Sequence, residues 1–175
     1  MSVKMRKVAT AIILFMSALF AFADTNALFS FSGQSYIQRG VLTFDNREIA
    51  LNVYVVCSNG KSKMIMDTQA GRLARIELDE FGNVIICEGG KLFPTRFVER
   101  LLLPNFRAIM GFTKFLNQPL VYLKNGKVCE IQYDDCVIKF CETNVKSEKI
   151  ELPRVEIESK SYKVELNYIS KISKK

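Results

Sequence analysis

FPTRFVERLLLPNFRAIMGFTKFL (Phe93–Leu116) is the one stretch of this sequence with helical spacing, and its reading decides the fold. Phe97, Val98, Leu101, Leu102, Phe106, Ile109 and Met110 recur at i, i+1, i+4, i+5 and onward, which makes a wide apolar face. Thr95 behind Pro94 is an N-cap candidate, and Arg96, Glu99, Arg100 and Arg107 mark the wet side, on which Leu103 also falls. Pro104 cannot donate an i→i−4 hydrogen bond, so the pattern predicts two short helices with a break there, or one kinked helix. Such a segment is either a helix covering one face of a sheet or an apolar lid over a lipid-sized cavity. The two differ only in whether the space beneath is filled.

Everything around it alternates with period two. Ser35 to Phe44 (SYIQRGVLTF) and Glu48 to Cys57 (EIALNVYVVC) flank a turn at Asp45-Asn46-Arg47. Asn59-Gly60 is a strong hairpin signal, because both residues tolerate positive φ, and it sets Val55 against Met64 and Val53 against Met66. Two methionines thereby join a Val/Leu face and make it deformable. Arg72 to Asp79 follows Gly71, and the loop Glu80-Phe81-Gly82 sets Leu78 against Val84 and Ile76 against Ile86. Gly89-Gly90 closes this meander of four or five strands. Beyond Leu116, Asn125-Gly126 joins PLVYLK to KVCEIQY, and CVIKFCE follows across an Asp134-Asp135 turn that sets Cys136 against Tyr133. Pro153 interrupts the next run and predicts an edge strand there. Val155 to Glu158 and Tyr162 to Ser170 form a last hairpin. The expected fold is α+β, mostly β. About ten antiparallel strands form a curved, half-open sheet, with a short helical lid inserted midway over its concave face.

The N-terminus reads as a targeting segment. Lys4, Arg6 and Lys7 precede an apolar run from Val8 to Phe22, and Ala21-Phe22-Ala23 fits a cleavage site. Residues 1–23 are therefore expected to be a cleaved signal peptide, and 24–175 a single domain of 152 residues (175 − 23). That implies export. The whole chain carries a formal charge of +7, three units of which belong to the leader. The remainder is mild and scattered, so no nucleic-acid partner is expected.

Chemistry is constrained by what is missing from the composition. The chain has no histidine, which removes Ser-His-Asp and Cys-His nucleophile activation and the usual base near neutral pH. The five cysteines (Cys57, Cys87, Cys129, Cys136, Cys141) make no CxxC pair or zinc-ligand spacing. They read as small apolar side chains, with at least one free thiol and room for one long-range disulfide. The adjacent carboxylates Asp134-Asp135 and Asp79-Glu80 lie in turns, which select aspartate on their own account. No phosphate-binding glycine loop is present. The expectation is a protein that is not an enzyme, with no catalytic residues, metal or cofactor.

The opening YIQRGVLTF, the meander through GRLARIELDEFGN, the helical VERLLLPNFRAIMGF and the late LPRVEIESKSYKVELNYIS together span most of residues 24–175. In that layout the sequence resembles the periplasmic lipoprotein-carrier superfamily (LolA/LolB-like), and more closely a group of LolB-like envelope proteins. The resemblance implies a half-open barrel whose concave face and lid form a hydrophobic cleft for acyl chains, with lipoproteins or other envelope lipids as cargo. Inner- and outer-membrane envelope proteins would be its partners. Val53, Val55, Met64, Met66 and the helical face Phe97, Val98, Leu101, Leu102, Phe106, Ile109 and Met110 are the candidate lining. The chain departs from the pattern in having no lipobox cysteine and no tryptophan, which implies a soluble shuttle. Arg39 is only a loose counterpart of the carrier's gating arginine. The competing expectation is an envelope interaction or sensor module on the same fold, with a filled core and no lipid. A lipid hydrolase would need a base that the sequence does not offer.

Overall fold

The computed structural model describes residues 29–141 and 152–172. The expected leader, residues 1–23, lies outside the described residues, as do residues 24–28, 142–151 and 173–175. Among the described residues, ten strands form one antiparallel sheet: β1 (Tyr36–Phe44), β2 (Arg47–Ser58), β3 (Lys61–Thr68), β4 (Gly71–Leu78), β5 (Val84–Gly89), β6 (Leu120–Lys124), β7 (Lys127–Tyr133), β8 (Cys136–Cys141), β9 (Arg154–Ser159) and β10 (Tyr162–Lys171). Their order is β5-β4-β3-β2-β1-β10-β9-β8-β7-β6, so the sheet is open, with β5 and β6 at its edges. The chain starts in the middle, meanders out to one edge, crosses through the helical stretch to the other edge, and meanders back to pair β10 with β1. The mostly-β fold with a short helical insertion is as the alternation predicts.

Turn chemistry fixes the register. Asp45 and Asn46, Asn59 and Gly60, and Asn125 and Gly126 all have positive φ, which matches two-residue hairpin loops to the strand twist. Arg47 therefore pairs with Phe44 and is not a third turn residue. Val55 lies opposite Met64 and Val53 opposite Met66, as the Asn-Gly turn requires. Leu78 meets Val84 as expected, but a bulge between Glu77 and Leu78 sets Ile76 against Cys87 instead of Ile86. Tyr133 faces Cys136. The strand after Pro153 is no edge: β9 lies between β8 and β10, and the proline sits just ahead of it where no ladder bond is lost.

The helical stretch does not break at Pro104. A single α-turn (Thr95–Phe97) runs into a π-helical turn (Val98–Leu102) and then an α-helix (Leu103–Ile109) with Pro104 in its first turn. The Leu103 N–H reaches back five residues to the Val98 carbonyl. Widening the turn removes the clash of the proline ring with the carbonyl four residues earlier, so the chain stays helical. The extra residue also rotates the remainder of the helix, which explains why Leu103, on the wet side of a regular helix, is buried. Thr95 is not the N-cap: its hydroxyl accepts the Gly89 N–H at 3.1 Å and ties the helix start to the end of β5.

At the other end, Gly111 takes φ 90°, with Gly111 N–H on the Ala108 carbonyl and Phe112 N–H on the Arg107 carbonyl, a Schellman closure. The β4–β5 loop docks here. Arg107 Nε donates to the Gly82 carbonyl at 3.0 Å, and its guanidinium lies 4.1 Å from the centre of the Phe115 ring. Gly82 has φ 83°, and a Cβ on it would stand 2.6 Å from the Phe112 ring. Gly82→Ala is expected to cost about 1–3 kcal/mol through strain and overpacking, measured as a lower midpoint in urea unfolding.

One contiguous core joins the covered sheet face to the helical stretch, from Phe31 and Tyr36 through Val53, Ile76 and Ile131 to Val98 and Phe106. The opposite face carries ion pairs such as Arg154 with Glu156 and Glu165 at 2.8 and 2.7 Å. Among the described residues no helix is long and apolar enough to cross a membrane.

Candidate functional site

Strand alternation sends Val53, Val55, Met64 and Met66 to the covered face, and all four are buried. Val98, Leu102, Phe106, Ile109 and Met110 pack into the same cluster from above, with Leu101 half-buried at its margin. Nine of the eleven candidate residues are thus core. Phe97 is not: it is 44% exposed, set edge-on to Phe44 and Phe93 with ring centres 6.4 and 6.1 Å away.

Open space begins at that ring. A cavity of about 930 Å³ lies at the end of the sheet, between the helical stretch and three neighbouring turns. Phe97, Arg100, Leu101 and Pro104 form the helical wall, while the β1–β2, β7–β8 and β9–β10 turns form the other. The sheet order brings these turns side by side, since β1, β10, β9 and β8 are successive neighbours. A smaller cavity of about 330 Å³ adjoins, lined by Phe44, Asp45, Arg47, Ile49, Leu92, Phe93 and Phe97. Phe44, Asp45 and Phe97 belong to both, so a mainly polar chamber and a groove of five apolar residues bordered by Asp45 and Arg47 meet around two rings. The larger volume is within the span of about 300–1,000 Å³ usual for small-molecule sites.

The floor of the larger cavity is a polar network that apolar spacing along the helix does not reveal. Asn105, buried on the inner side of the helix, donates from Nδ2 to the Tyr162 hydroxyl and to the Leu101 carbonyl, each at 2.7 Å. Its Oδ1 accepts the Tyr133 hydroxyl and, at 3.3 Å, the Cys136 thiol. Both phenols and the thiol are pushed above their ordinary ranges, chiefly by burial, so all three stay protonated near neutral pH. A protonated buried thiol is a poor nucleophile. The group is a clamp that binds the helix to the β7–β8 and β9–β10 turns. Its signal in the sequence is Asn105 itself, one polar residue on an otherwise apolar helical face.

Arg39, the loose gate candidate, is exposed on the opposite face of the sheet from the helical stretch. Its neighbour Gln38 points inward instead, in one row with Val53 and Met66. Gln38 Nε2 is buried without a hydrogen-bond partner. Leaving such a donor unpaired costs free energy, so Gln38→Leu is expected to raise stability by about 1 kcal/mol, read as a higher unfolding midpoint. Cys87, Cys129, Cys136 and Cys141 are free thiols. Among the described residues no group of three or more Cys, Asp or Glu is arranged to hold a metal ion. Searches with the sequence against protein-family models and against curated proteins give no match.

Proposed function

We propose that this protein is a non-catalytic carrier or chaperone of the periplasm that holds the acyl chains of lipoproteins or of other envelope lipids. The observation that carries this reading is the groove of Phe44, Ile49, Leu92, Phe93 and Phe97, bordered by Asp45 and Arg47, open beside a short helical lid and adjoining a larger polar chamber. An amphipath would lay its chain in the groove and its head in the chamber. The lid is suited to yield: its π-turn interrupts regular helix packing, Met64 and Met66 lie beneath it, and Met110 is on its own inner side, all with flexible, unbranched side chains. A chain longer than the groove would displace these methionines and enter between lid and sheet, against Val53 and Val55.

Native mass spectrometry of the protein purified without detergent, before and after organic extraction, tests the reading. The expected result is a mass excess that extraction removes and that matches an acylated species. A clean apo mass that persists after incubation with lipid extract overturns it.

One observation favours a second reading, an interaction module with a filled core. Strand β6 is exposed along its whole length, with Leu120, Val121, Tyr122 and Leu123 bare on both faces of an open sheet edge. A stable envelope complex lost on Tyr122→Lys, together with no lipid binding, would favour that reading over the carrier.

A further inference from the structure

Resting on the carrier reading, we infer that the cargo has an uncharged, polyhydroxylated head group, a sugar and not a phosphate, and that this head group is seated in the larger cavity. The charges around that cavity decide it. Arg100, Lys160 and Lys163 face Asp45, Asp134, Asp135 and Glu158. Lys163 is already engaged, its Nζ 2.9 Å from Glu165 Oε1, so two cations remain against four carboxylates. Phosphates are met by guanidinium forks or by runs of N–H groups at a long helix N-terminus. The cavity has a single guanidinium, Arg100, and no long helix N-terminus, and with four carboxylates against two unengaged cations its net negative lining repels an anion.

Hydroxyl groups fit the same lining. A carboxylate accepts from a sugar hydroxyl as a charge-assisted bond, and Arg100, Lys160 and the Asn46 amide donate to hydroxyl or ring oxygens. Asp134 and Asp135 are held in place by Asn117 Nδ2 at 2.8 Å and Ser159 Oγ at 3.4 Å, which leaves each carboxylate a further acceptor oxygen. The rings of Phe44 and Phe97 stand where chamber and groove meet, and offer apolar surface to the carbon-bound hydrogens of a sugar ring just as the acyl chain begins. Polar head, ring face and chain thus succeed one another in the order a glycolipid presents them.

The test titrates the purified protein with dioctanoyl glucosylglycerol and with dioctanoyl phosphatidylglycerol, both below their micelle thresholds, by isothermal calorimetry at physiological salt. The glucosyl lipid is expected to bind at least about tenfold more tightly, the size of one well-made charge-assisted hydrogen bond. In the double variant Asp45→Asn, Glu158→Gln that preference is expected to shrink by about tenfold. Asparagine tolerates the left-handed backbone at position 45, so the turn is kept. Equal binding of the two lipids, or tighter binding of the phosphatidyl lipid, overturns the head-group assignment and leaves the carrier reading standing. An unchanged preference in the double variant also overturns it. Binding of neither lipid overturns both.

Discussion

Asn105→Leu is expected to lower the unfolding free energy by about 3 kcal/mol, although it removes no apolar contact. Leucine has the branching of asparagine and is the better helix former, so propensity alone would predict a gain, while its bulkier methyl groups add some overpacking against the two phenols. The cost comes from what Asn105 leaves behind. Its amide serves the Leu101 carbonyl and the Tyr162 hydroxyl, and its carbonyl oxygen serves Tyr133 and Cys136. The Tyr133 hydroxyl and the Cys136 thiol lose their acceptor, while the Tyr162 hydroxyl keeps the half-buried Leu101 carbonyl at 3.4 Å, and each buried group left unpaired costs roughly 1–3 kcal/mol unless water reaches it from the cavity above. Tyr133→Phe on top of Asn105→Leu removes one orphan and is expected to return about 1 kcal/mol, so the double variant should be less destabilised than the sum of the two single changes. Urea unfolding of the four proteins measures this. Simple additivity would mean that the four groups do not act as a network.

The network also marks what was legible in the sequence. The strands, most of their pairing and the one helical insertion come from local rules: alternation, and Asn-Gly or Asp-Asn pairs that take positive φ. Val53 against Met66 and Tyr133 against Cys136 needed nothing more. Two of the misreadings arose where one residue is added to a regular element. The bulge at Glu77/Leu78 shifts Ile76 onto Cys87, and the π-turn before Pro104 turns Leu103 inward. Neither insertion has a strong local signature, because each is selected by the fit of one element on another. The site was harder to read for a related reason. Apolar periodicity finds what is buried, and it duly found the core. It is silent on the open cavity beside that core, whose walls are turn residues from strands far apart in sequence. Only the sheet order, with β10 returning to β1, brings Asp45, Asp134 and Lys160 to one mouth.

Phe106→Ala and Phe97→Ala should separate stability from uptake, and the larger effect belongs to the former. Phe106 is buried within the core and Phe97 stands at the surface between the two cavities. Truncating Phe106 removes a large ring from a packed interior and leaves a void, which for phenylalanine costs about 3–5 kcal/mol. Truncating Phe97 loses edge contacts with Phe44 and Phe93 worth about 0.5–1.5 kcal/mol together with some exposed area, so its unfolding midpoint should move little. A carrier reverses that ranking when lipid binding is measured. Phe97→Ala takes away the ring shared by groove and chamber and should weaken acyl binding several-fold. Phe106→Ala opens apolar volume beneath the lid, which an acyl chain can fill, so added lipid should recover part of the lost stability by mass action. A thermal midpoint for Phe106→Ala that rises with lipid concentration more steeply than that of the unmodified protein would mean the chain reaches under the lid. Equal slopes would confine it to the groove at Phe97, with the core beneath the helix as closed in the loaded protein as it is in the empty one.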